Sequence, residues 1–117
     1  MTRAATFLLA GALGGCGAPA GDTAAVETPY VEGQPAPTWT NFAGAFFVTR
    51  CGACHAANAP DRFGAPEAMV FDTLEQVRAL ESAVRASTLE ARTMPLGGGV
   101  PEEDLARLEA WLDGGMR

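Results

Sequence analysis

Apolar residues recur at helical spacing in three stretches of the chain, and no stretch reads convincingly as a strand. In the first, Phe42, Ala43, Phe46 and Phe47 form one stripe, which predicts a helix over 41–50 with Thr40 as its N-cap. In the second, Leu74, Val77, Leu80 and Val84 share a face, which predicts a helix over 73–85, and residues 87–92 add a short helical turn. The third pattern is the clearest. Leu105, Leu108, Trp111 and Leu112 make the buried stripe, and Pro101 takes the first helical position. Glu102, Glu103 and Asp104 crowd the positive end of the helix dipole, and Gly114-Gly115 ends the helix. The fold class expected is all-α.

Ahead of these helices the pattern dissolves. From Gly17 to Thr38 the chain is rich in Gly, Ala, Pro and Thr, with Pro19, Pro29, Pro35 and Pro37 as punctuation. Such a composition buries too little surface to offset chain entropy and reads as a tether. Before it, Arg3 is followed by a short apolar run over 4–13 and then small residues, the order of a secretory signal. That run is about ten residues, half of the roughly twenty that a membrane span needs. Leu13-Gly14-Gly15-Cys16 resembles the bacterial lipobox, in which the Cys becomes diacylated and N-terminal. The resemblance implies a lipoprotein signal over 1–15 and a lipid on Cys16; the composition then assigns a tether over 16–38 and a domain over 39–117. It also implies a place in the bacterial periplasm or cell envelope, with the membrane reached through that lipid.

Charge narrows the choice of partner. Fourteen acidic residues face eight cations, all of them Arg, for a net charge of −6. Loss of residues 1–15 would remove Arg3 and leave −7. A nucleic-acid partner needs a basic face, so none is expected. An acidic protein suits a partner with a basic docking surface. The domain of 39–117 is also small for an unaided apolar core, and such domains usually carry a staple or a cofactor.

The chemistry sits in Cys51-Gly52-Ala53-Cys54-His55, the CxxCH of c-type haem attachment. Residues three and four apart on a helix share a face. Both thiols can therefore reach haem vinyl groups while the imidazole reaches the iron. Gly52 and Ala53 are small enough to let a porphyrin edge approach the backbone. A redox dithiol would want a βαβ context, and a zinc ribbon would want a second ligand pair; the chain offers neither. The third cysteine, Cys16, stands far off, so the odd count suits no disulfide framework.

With these residues in place, the stretch from Trp39 to Arg117, about two thirds of the chain, resembles a class I cytochrome c domain. In that family an aromatic four residues before the first haem Cys packs on the C-terminal helix; Phe47 matches it, and Leu108 and Trp111 match its partners. Met94-Pro95 fits the family's distal-ligand slot. The resemblance implies three to five helices wrapped around one covalent haem c, bound through Cys51 and Cys54, with His55 as proximal iron ligand and Met94 as distal ligand. It also implies a proline carbonyl accepting the His55 Nδ1–H, with Pro66 and Pro60 as the candidates.

One His rules out bis-His ligation within the chain. Among the thioethers, Met94 has the loop context, with Pro95 stiffening the backbone and Gly97-Gly98-Gly99 giving slack, whereas Met69 reads as core filling and Met116 as terminal. His/Met ligation leaves no open iron site and raises the potential. The function expected is one-electron transfer to redox partner proteins, not enzymatic catalysis. The alternative is a haem-based gas or redox sensor, which would need a labile Met94.

Overall fold

A computed structural model describes residues 34–117. The expected signal over 1–15, the expected lipid site Cys16 and the expected tether up to residue 33 lie outside the described residues. Within them the architecture is helical, with no strand, and no helix is long and apolar enough to cross a membrane. The α-helical elements are α1 (Gly44–Arg50), α2 (Gly52–His55), α3 (Leu74–Ala79), α4 (Glu81–Val84) and α5 (Glu102–Asp113). Two π-wound turns complete them, Trp39–Ala43 ahead of α1 and Arg85–Glu90 after α4.

The first helix starts earlier than its apolar stripe predicts. Thr38, not Thr40, is the N-cap: its hydroxyl accepts the Asn41 N–H at 3.1 Å, and Asn41 Oδ1 accepts the Thr38 N–H at 2.7 Å. This reciprocal box satisfies two otherwise orphaned donors. The Thr38 carbonyl then takes both Phe42 N–H and Ala43 N–H, which opens the first turn into π geometry. Gly44 makes the next step possible. A Cβ there would lie 3.0 Å from the Trp39 carbonyl oxygen and 3.2 Å from its indole. Without one, the Trp39 ring folds back and stacks on Phe47 at 6.2 Å between centroids.

The predicted helix over 73–85 is broken. Thr73 is its cap, in a second reciprocal box with Gln76. The break falls at Leu80 (φ −111°, ψ 16°), whose N–H bonds to Val77 one residue short of the α register. The chain then resumes as α4 and widens into the π turn Arg85–Glu90, which contains most of the short turn expected over 87–92. Pro101 is the N-cap of α5 rather than its first residue: it is extended (φ −59°, ψ 144°), and its carbonyl accepts the Leu105 N–H.

All four members of the α5 stripe are buried, as are Phe42, Ala43, Phe46 and Phe47. Helix α5 packs on α1, with Trp111 edge-on to Phe47 at 6.0 Å, and on the π turn ahead of it, with the Arg107 guanidinium 4.4 Å above the Phe42 ring. Trp111, Phe47, Leu108 and Val77 are the largest fully buried side chains. Each contributes roughly 1.5–3 kcal/mol by leaving water. The peripheral ion pairs, such as Arg85–Asp113 at 2.8 Å and Arg50–Asp104 at 3.5 Å, add at most about 1 kcal/mol each. Behind α5, Gly115 turns left-handed (φ 86°), and the Arg117 carbonyl accepts the Trp39 N–H at 2.6 Å and the Trp111 indole N–H at 3.1 Å. That carbonyl joins the start of the helical domain to the segment after α5.

Candidate functional site

Short α2 follows α1 after a single hinge residue, Cys51, whose N–H still bonds to Phe47 and whose carbonyl accepts the N–H groups of Cys54 and His55. This near-continuous winding turns Cys51, Cys54 and His55 toward one cavity of about 500 Å³. The volume falls within the usual range of small-molecule sites. Phe47, Met69, Phe71 and Val84 give the cavity much of its apolar lining, and Met94 enters from the loop after the second π turn. Ser87 anchors that loop, since its carbonyl accepts the N–H of Thr93 at 2.8 Å and of Met94 at 3.1 Å.

His55 is held from three directions. Its carbonyl accepts the Phe71 N–H at 2.9 Å, and its ring lies 5.0 Å from the Phe71 ring. Its Nδ1 is 2.9 Å from the Met69 carbonyl oxygen. A carbonyl can only accept, so Nδ1 carries a proton, and in the neutral imidazole Nε2 keeps the lone pair that a metal would take. Neither proline fills this role. The Pro66 carbonyl is engaged by the Met69 N–H at 2.9 Å and by Arg62 at 2.7 Å, and Pro60 is exposed and does not line the cavity. Met69 is thus more than core filling: its side chain packs against the core, it lines the cavity, and its backbone orients the imidazole. Met116 packs against the core and does not line the cavity.

Burial, followed by the charge of neighbouring Cys54, pushes the Cys51 thiol up from 9.0 to about 12. A nucleophilic redox dithiol needs the reverse, a thiol held low by a helix N-terminus or a cation. Among the described residues, no three His, Cys, Asp or Glu side chains gather as they would around a bare metal ion. Any metal at His55 would need donors beyond such a cluster.

Arg62, Phe63 and Leu96 are among the lining residues that escaped the sequence reading. Arg62 reaches into the loop between α2 and α3 and bonds to four backbone carbonyls; its signal was a lone cation in a stretch of Ala, Asn and Pro. Phe63 and Leu96 border the cavity yet remain exposed, at 68% and 66%. No pattern marked either one, because single exposed apolar residues are common. Comparison of the chain with protein-family models, with curated proteins and with solved structures finds no match.

Proposed function

We propose that this protein is a one-electron carrier with a single covalent haem c. In this reading Cys51 and Cys54 would carry the thioether bonds, and His55 and Met94 would hold the iron. Residues 39–117 form a small domain of the class I cytochrome c kind, hung from a membrane by lipid on Cys16 on the periplasmic side. One observation carries the reading: the two thiols, an imidazole with its Nε2 lone pair free, and a thioether line a single apolar cavity. A porphyrin is a large apolar plate, and its iron takes one nitrogen and one sulfur donor without needing a cluster of charged side chains.

The chain's own residues supply the rest. The Met69 carbonyl keeps the imidazole in one tautomer and one orientation, as metal-bound histidines require. Met94 would supply a soft thioether that favours the reduced metal and would keep external ligands away from it. The bound haem would supply the reversible one-electron couple. Exposed Phe63 and Leu96 leave an apolar rim at the cavity, and the acidic surface favours a basic partner.

The test is to mature the full chain in a host that attaches haem. Intact mass should rise by one haem, the reduced protein should resist CO, and the oxidised protein should show the weak far-red band of sulfur-ligated iron. Met94→Ala should abolish that band and admit CO. An unmodified mass with free thiols would refute the carrier, and rapid CO binding by the wild type would make the protein a gas sensor.

A further inference from the structure

We infer that Arg62 is a positioning residue that sets how strongly His55 donates to a metal at Nε2, because it shares with the imidazole the single carbonyl that orients it. The inference rests on the haem reading above. Arg62 Nη2 lies 3.2 Å from the Met69 oxygen, the atom 2.9 Å from His55 Nδ1. The same guanidinium reaches the carbonyls of Ala56 at 2.9 Å, Pro66 at 2.7 Å and Ala65 at 3.4 Å. None of the ion pairs among the described residues includes it. Its fork is spent on the backbone of the loop that cradles His55.

The electronic consequence follows from the shared oxygen. When Nδ1–H donates to a carbonyl, electron density moves into the ring, the imidazole becomes more basic, and the oxidised metal is favoured. A second donor on the same oxygen draws on the same density, and a cationic donor draws harder than a neutral one. Arg62 therefore weakens the pull of Met69 on the His55 proton and shifts the couple toward the reduced state. The Arg62–Met69 bond is the longer of the two, so the effect is a trim on the His55 bond and not its replacement.

Lysine separates this role from simple charge or simple stapling. Arg62→Lys keeps a cation but loses the planar fork that spans several carbonyls at once. The measurements are covalent haem content, midpoint potential, and the His55 Nδ1–H resonance of the reduced, nitrogen-15-labelled protein. In Arg62→Lys, haem content should hold and the Nδ1–H resonance should move downfield as its bond to Met69 tightens. The reduction equilibrium should fall about tenfold, which is about 59 mV for one electron. Arg62→Gln should fall further, since it also loses the charge; if it does not fold, the Lys variant alone decides. A Lys variant with wild-type potential and an unmoved resonance overturns the proposal and leaves Arg62 as a loop staple. Absence of covalent haem from the wild type overturns the haem reading itself, and this inference with it.

Discussion

Phe47 and Val48 are neighbours on α1 with opposite environments, and replacing each in turn tests the whole packing scheme. Phe47 is 1% exposed and touches four rings: Trp39 at 6.2 Å, Phe46 at 5.6 Å, Phe71 at 5.5 Å and Trp111 at 6.0 Å. Val48 is 66% exposed. Phe47→Leu keeps much of the apolar volume but loses the ring contacts. Each contact contributes about 0.5–1.5 kcal/mol beyond area. The four rings share neighbours, so their losses do not add. A cost of about 2 kcal/mol follows for Leu, against about 3–5 kcal/mol for Phe47→Ala, which also leaves a cavity. Over residues 34–117, the usual stability per residue gives a total of about 4–13 kcal/mol. The Ala change therefore removes at least about a fifth of it. Val48→Ala should stay within about 0.5 kcal/mol of the parent. Urea denaturation of the full chain, followed by far-ultraviolet circular dichroism, reads these values from the midpoint at fixed slope. If Phe47→Leu costs no more than Val48→Ala, the aromatic cluster is not what holds α1 to α5.

Thr38→Ala should cost about 1 kcal/mol through loss of the capping box, while Thr40→Ala, which removes no cap, should be near neutral in the same melts. In the chain carrying free thiols, Cys51 should alkylate far more slowly than an ordinary cysteine at pH 8, because only the thiolate reacts and the Cys51 thiol is pushed up to about 12. A raised thiol pKa favours the fold while the group stays protonated. That contribution is full below about pH 9 and is lost as the pH climbs from there toward 12, so the urea midpoint should fall over that window and Cys51→Ser should flatten the fall.

What was legible in the chain was whatever side-chain pattern controls. The stripe from Leu105 to Leu112 and the Phe42–Phe47 face carry helical periodicity because burial selects apolar side chains, and those residues are buried. The spacing of Cys51, Cys54 and His55 already placed them on one face, and they line one cavity with Met94. Backbone events were not legible. The break at Leu80 lies within an unbroken apolar stripe, so periodicity carries no trace of it. The acceptor for His55 is a main-chain oxygen, which any residue can offer, so no residue pattern marks it; the family resemblance implied a proline, and the carbonyl of Met69 takes the role. Thr40 looked like the cap because it stands nearest the stripe. The actual cap, Thr38, is chosen by the Asn41 side chain reaching back three residues.

The aromatic cluster has an optical consequence. The chain has two tryptophans, Trp39 and Trp111, and both sit in it, 6.2 Å apart between ring centroids. Phe47 touches both indoles, Phe71 touches Phe47, and Phe71 touches His55. Every photon of indole fluorescence therefore originates within a few ring contacts of the cavity. A porphyrin there would accept that energy and leave the native protein dark under ultraviolet excitation. Unfolding would separate donor from acceptor and light it up, so a chain bearing that porphyrin would carry a gauge of its own folding without any added dye.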